Sequence, residues 1–186
     1  MTVLGYTRTA IGLHWLMGGL ILTALFMGWT MTEMAVSPLR LKVYNWHKWV
    51  GVTVLALAVL RLVWRLTHHA PPLQPSLPAW QRLAAHASHS LLYLLMFVMP
   101  VTGWIYSNYS GYPVVYLGKL PLPDLVERDR ELAPVWLDVH STLAVVLAVV
   151  VGVHLLAALY HQFIARDGTL RRMLAWGAAG RQRRQP

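Results

Sequence analysis

His140, His154 and His161 are spaced by fourteen and then seven residues within one apolar stretch, residues 137–163. At about 100° and 1.5 Å per helical residue, the three leave a helix on nearly the same side, with His140 and His154 about 21 Å apart along its axis. That separation places them near opposite faces of a bilayer. Ionisable groups inside hydrocarbon are costly and mark function, so a stripe of three points to bound cofactors rather than to packing. The spacing is the one a helix needs to hold two haems stacked across a membrane. Electron transfer is the chemistry this implies.

The chain has nine histidines. His68 and His69 lie beside prolines outside the apolar stretches and read as solvated loop residues. The other seven fall in or at the ends of expected helices, and depth sorts them. His14, His86 and His89 belong to the inner side, with His154 and His161. His47 and His140 belong to the outer side and present themselves as a pair. The inner partner of His154 is either His14 or His89, and depth alone leaves that choice open. A lone histidine in such a span is best read as an interhelical hydrogen bond, but seven sorted by depth favour ligation. Iron takes two axial imidazoles where electrons must pass without an open coordination site, so four ligands and two haems are expected. Gly12, Gly18 and Gly19 flank His14, Gly51 follows His47, and Gly152 precedes His154; each would let a porphyrin approach the backbone, or serve ordinary helix packing. The chain has no cysteine, which excludes disulfides, iron–sulfur ligation and covalent haem attachment. Any haem must be b-type.

The elements that position these residues follow from composition. Hydrophobic residues make up 56% of only 186 residues, with nine Trp and eight Tyr. Four apolar stretches, about 11–31, 46–66, 84–106 and 135–163, are each long enough to cross a hydrocarbon core of about 30 Å. A soluble four-helix bundle would need a polar face on each helix, and residues 52–60 and 143–151 show none. The fold class expected is therefore all-α, a transmembrane four-helix bundle binding two b haems, with residues 1–186 forming one integral membrane domain. The first stretch is too long for a signal-peptide core and no A-x-A-like site follows it, so it is expected to stay as a helix. Trp and Tyr are expected mainly as interfacial anchors.

The net charge of +9 is distributed for topology rather than for nucleic acid. With the N-terminus inside, Arg8, Arg61, Arg65, Arg82, Arg166, Arg171, Arg172, Arg181, Arg183 and Arg184 are cytoplasmic, and both termini are too. Outside fall Arg40, Lys42, Lys48, Lys119, Arg128 and Arg130, together with Glu33, Asp124, Glu127, Asp129, Glu131 and Asp138. Asp167 is the sole acid inside. The first outer loop, 32–45, is expected to be short. The Pro-rich connection 68–80 should run extended. The second outer loop, 107–134, holds most of the acids, and residues 124–132 could form a short surface helix. The basic tail is a topology and headgroup element, with 182–186 expected to be disordered.

Several of these residues carry a resemblance. Tyr6-Thr7-Arg8 followed by His14-Trp15, then Trp46-His47-Lys48, and Ala85-His86-Ala87-Ser88-His89 resemble the bacterial cytochrome b561 family. So do Val139-His140-Ser141, the run from His154 to Tyr160-His161, and the closing Arg166-Asp167-Gly168-Thr169-Leu170-Arg171-Arg172-Met173. The match runs in order from Tyr6 to Met173. It implies a four-helix dihaem b cytochrome of the bacterial inner (plasma) membrane. Its best understood type, a superoxide oxidase, passes electrons from periplasmic superoxide to ubiquinone. Carried onto this chain, the resemblance makes His14 and His154 the inner haem ligands and His47 and His140 the outer pair. It leaves His89 and His161 at the place where the family binds quinone, with His86 free to point toward the headgroups. Histidine suits a quinone site, since it hydrogen-bonds carbonyl oxygens and moves protons near neutral pH.

Two observations bear on the donor. An anion is captured faster by a positive face, yet the outer segments carry six basic and six acidic residues. Arg40, Lys42 and Lys48 cluster near His47, where they could act locally or contact haem propionates and lipid. A haem-bearing anchor subunit linking a dehydrogenase or another cytochrome to the quinone pool is the alternative, and it predicts a redox partner protein. A histidine-rich metal transporter fits less well, because such pathways include buried carboxylates.

Overall fold

The computed structural model describes residues 5–68, 70–73 and 77–174. The expectations placed on His69, on Pro75 and on the arginine-rich tail, including 182–186, fall outside the described residues. Four long helices dominate: α1 Arg8–Glu33, α2 Pro38–Thr67, α3 Ala79–Tyr109 and α4 Leu132–Tyr160. Each is long and apolar enough to cross a membrane. A π-helical turn, His161–Ala165, and a short helix α5, Arg171–Leu174, follow α4.

The helices are longer than the apolar stretches that announce them, at 26 to 31 residues. Hydropathy marks the part of a helix that lies in hydrocarbon, whereas caps set where it ends. At the start of α1 the Thr7 hydroxyl accepts from the Ala10 amide at 3.2 Å. Ser37 does the same for Arg40 at 3.2 Å, and Pro38 stands in the first turn, where a missing N–H costs nothing. The first outer loop therefore shrinks from 32–45 to residues 34–37.

The close packing runs α1 on α2, α2 on α3 and α3 on α4. The buried core is a thin plug half-way along the bundle: Met17 and Ile21, Val54 and Ala58, Leu95, Met96 and Met99, and Leu147. Outside it the helices show large apolar side chains, such as Trp29 and Phe26 on α1 and Leu156 on α4. Such a surface is stable facing lipid, not water.

One end of the bundle carries the start of α1 and α5, the other a β-hairpin. At the terminal end Trp15 Nε1 donates to the Met173 carbonyl at 2.9 Å, Trp64 Nε1 to Thr7 Oγ1 at 3.0 Å, and Arg172 Nη1 to the Pro72 carbonyl at 3.0 Å. At the hairpin end β1 Val115–Tyr116 pairs antiparallel with β2 Leu120–Pro121, Val115 opposite Pro121 and Tyr116 opposite Leu120. Leu117 and Gly118 turn it with φ of 53° and 68°. The hairpin is docked on α2, with Trp49 Nε1 donating to the Val115 carbonyl at 2.8 Å and Thr53 Oγ1 3.0 Å from the Tyr116 hydroxyl. Tryptophans at both ends thus tie segments together.

Residues 124–132 do not form the expected surface helix. Two of their acids are committed to other contacts. Asp124 Oδ1 accepts from Asn108 Nδ2 at 2.6 Å, and Asn108 Oδ1 accepts from the Leu125 amide at 3.0 Å. Asp129 Oδ1 takes the amides of Glu131 and Leu132 at 2.8 and 3.2 Å, covering the start of α4. Asn108 is only 4% exposed, and truncating it removes two hydrogen bonds that tie the loop to α3, those with Asp124 and the Leu125 amide. Asn108→Ala is expected to lower stability by about 1–3 kcal/mol, read as an earlier thermal unfolding transition in detergent.

Candidate functional site

The histidines fall into two layers, one on each side of the apolar plug. On α4 they are His140 and His154, fourteen residues apart. The other three helices repeat that interval: His14 and Gly28 on α1, His47 and Arg61 on α2, His89 and Gly103 on α3. Fourteen residues advance a helix about 21 Å and return it to within about 40° of the same direction. Each helix therefore contributes one position to each layer. The terminal-end layer reads His14, Arg61, His89, His154; the hairpin-end layer reads Gly28, His47, Gly103, His140.

In the hairpin-end layer the His47 and His140 ring centres are 6.1 Å apart. The glycines make room for these rings. A Cβ on Gly103 would come within 2.8 Å of His140 Cε1, and one on Gly28 within 3.3 Å of His47 Cε1. The His140 proton can be assigned from its neighbour. Thr102 Oγ1 gives its single hydrogen to the Met99 carbonyl at 2.9 Å, so at 3.1 Å from His140 Nδ1 it accepts. That puts the proton on Nδ1 and leaves Nε2 a bare lone pair, the form a metal binds. His47 Nδ1 is buried without a well-formed hydrogen bond, where most buried polar atoms have one.

In the terminal-end layer His154 meets two rings. His14 lies 6.0 Å from it, centre to centre, and His89 5.5 Å. His14 Nδ1 is 3.2 Å from Arg61 Nη2, and Arg61 Nε donates to the Tyr93 hydroxyl at 3.2 Å. A cavity of about 280 Å³ opens beside this layer, lined by Leu62, Arg65, His86, His89, Ser90 and Tyr93. His86 is thus beside His89 rather than turned away from it. His161 is not in that lining. Its Nδ1 lies 2.6 Å from Asp167 Oδ2, where Arg166 adopts a left-handed conformation with φ 52°. Burial pushes the Asp167 carboxyl up, but contacts with Thr169 and His161 outweigh it and hold the group below the usual carboxylate range. A larger hairpin-end opening, about 460 Å³, is lined by loop residues such as Asp124 and Arg128 and by none of the histidines.

Two imidazoles sharing one metal, each nitrogen about 2 Å from it as is usual for imidazole ligation, have ring centres about 6 Å apart. Both cross-bundle pairs fall at that separation. The five glycines singled out in the sequence, Gly12, Gly18, Gly19, Gly51 and Gly152, face open space, since a Cβ on any would meet nothing within 4 Å. The donor set, the room and the poorly satisfied nitrogen all fit a haem. Among the described residues no three His, Cys, Asp or Glu side chains converge to hold a metal ion in another way.

Sequence reasoning missed Gly28, Gly103, Thr102 and Arg61. The repeated fourteen-residue interval was the signal that could have found the first two and Arg61. Of the outer cations, Lys48 is engaged. Its Nζ donates to the Tyr112 carbonyl at 3.3 Å and sits over that ring, holding the loop near His47.

Comparison with known proteins identifies the family. A family model described as prokaryotic cytochrome b561 matches residues 5–176. Cytochrome b561 homolog 2 of Escherichia coli K12 is 31% identical over 170 residues, covering 91% of this chain and 90% of its own. Cytochrome b561 homolog 1 of the same organism is 30% identical over 176 residues, covering 91% and 96%. A Yersinia pestis protein named probable superoxide oxidase CybB is 29% identical over 173 residues, covering 91% and 95%. With two layers of imidazoles inside four membrane-crossing helices and the family match over nearly its whole length, the chain belongs to the prokaryotic cytochrome b561 family, integral membrane proteins that bind b-type haem and transfer electrons.

Proposed function

We propose that the chain is a dihaem b cytochrome of the bacterial inner membrane that oxidises superoxide at the outer, hairpin end and reduces ubiquinone at the cytoplasmic, terminal end. The observation that carries this reading is the presence of two imidazole pairs at 6.0 and 6.1 Å, one on each side of the plug and both using α4. Haem, when bound, would supply a one-electron iron couple. His47 and His140 would hold the outer group, and His14 and His154 the inner one. The choice of His14 over His89 follows the family resemblance and the near-equal separation of the two pairs. His89 then remains beside the cavity under α2 and α3, whose polar lining suits quinone carbonyl oxygens. His161, steadied by Asp167, is assigned to the same quinone end. The placement of both described ends in the cytoplasm follows the surplus of arginine there.

Superoxide as donor is supported by the Yersinia pestis relative's name and by the local cations Arg40, Lys42 and Lys48. Purified holoprotein is expected to be reduced by enzymatically generated superoxide and reoxidised by added ubiquinone, followed in the haem absorption bands. Two haems that ignore superoxide yet accept electrons from quinol or a co-purifying dehydrogenase would replace this reading with the anchor-subunit one.

The ligand set is tested separately. His140→Leu is expected to halve the haem content, from two per chain to one, by a pyridine haemochrome assay. Gly103→Ala is expected to reduce occupancy of that same site, since its methyl group must displace the His140 ring. His89→Leu should keep both haems while slowing quinone reduction; unchanged quinone kinetics would remove His89 from the site.

A further inference from the structure

The two histidine layers differ in charge. Around His47 and His140 the neighbours are neutral: the Thr102 hydroxyl, Gly28 and Gly103. At the α2 position one layer along from His47 stands Arg61 instead. Its guanidinium lies 3.2 Å from His14 Nδ1, is fastened to the Tyr93 hydroxyl, and sits 5.6 Å from the Tyr93 ring centre. Arg65 approaches the same ring at 5.6 Å. The ion pair found among the described residues is His161 with Asp167, so no carboxylate pairs with Arg61. Arginine does not lose its proton in proteins, and charge acts more strongly in a low-dielectric interior than in water.

We propose that Arg61 sets the inner haem site at the higher reduction potential of the two, an inference that rests on the ligand assignment above. Reduction adds one electron to the site held by His14 and His154. A fixed positive charge against His14 favours that reduced state, whereas the site held by His47 and His140 has no cation within its own layer, and Lys48, next to His47, is drawn off to the Tyr112 carbonyl. The bias draws electrons from the hairpin end toward the terminal end, the direction the quinone reading requires. Arg61 touches no reacting atom and acts by its charge, held beside His14 by the Tyr93 hydroxyl. Because arginine only donates, His14 Nδ1 accepts in this structure and the ring proton sits on Nε2. A neutral ring ligating through Nε2 carries its proton on Nδ1 instead, and Arg61 then keeps its anchor on Tyr93 with its charge still in place.

The test is a spectroelectrochemical titration of purified holoprotein in detergent, resolving two one-electron components. Arg61→Gln is expected to lower the higher component by about tenfold in the reduced-to-oxidised ratio, 59 mV for a one-electron couple, and to leave the lower one in place. Arg61→Lys, which keeps the charge, should hold the higher component within about threefold of the starting ratio. His140→Leu, independent of how Arg61→Gln folds, should retain the higher component and lose the lower. Unmoved potentials in Arg61→Gln would mean that haem carboxylates already neutralise the charge, and would overturn the proposal. So would a lysine variant as low as the glutamine one, or survival of the lower component in His140→Leu. A wild-type protein without two bis-imidazole haems would instead remove the ligand assignment and leave Arg61 a plain interior cation.

Discussion

An imidazole placed among hydrocarbon side chains must engage both ring nitrogens or bear the cost of an unsatisfied polar group. That requirement organises the bundle. Where one nitrogen of His140 is committed to Thr102, the other is left aimed across the bundle interior toward His47. The need for a partner on each ring explains why the histidines stand in register with polar or small residues on all four helices. It also explains why the apolar residues are gathered into a plug between them rather than spread along the length. Helix packing here is thin because the interior is shared with polar groups, and lipid covers what the plug does not.

The two ends are built differently around that common register. The hairpin end is tightened by backbone and side-chain hydrogen bonds from α2 to the hairpin, and its layer is made of small and neutral groups. The terminal end is richer in arginine and histidine and more open. Its cavity, its second ring facing His154 and its His161–Asp167 contact give it groups that can donate and accept protons. A layer that only passes electrons can be closed and uncharged, whereas one that also serves a substrate taking up protons needs polar neighbours. The asymmetry matches a one-way carrier between unlike partners.

Much of this was legible in the sequence. Four helices followed from apolar length alone, and the outer histidine pair from depth. Helix ends were less visible, because hydropathy falls off at the headgroups while the chain stays helical until a cap or a proline stops it. Ser37 and Pro38 were readable as such a signal. Residues 124–132 looked helical by polarity; Asn108, a residue of α3, redirects Asp124, and that long-range contact has no local signature. The inner layer was the hardest part. Depth could not separate His14 from His89, and in the structure both do lie against His154. Arg61 was read as one of many inward charges, when its interval from His47 placed it among the rings.

The fourteen-residue interval has a consequence for how such a chain can change length. Adding one residue between His140 and His154 turns one of them by about 100° relative to the other, so returning both to their partners needs a distortion of the helix between them. The same holds between His47 and Arg61. Insertions and deletions are therefore disfavoured in the middle of the helices and are better absorbed in the connections between them, of which Gly111 to Glu131 is the longest and carries no member of either layer. Length variation among proteins built on this plan should concentrate there, leaving the helical register as the fixed frame of inheritance.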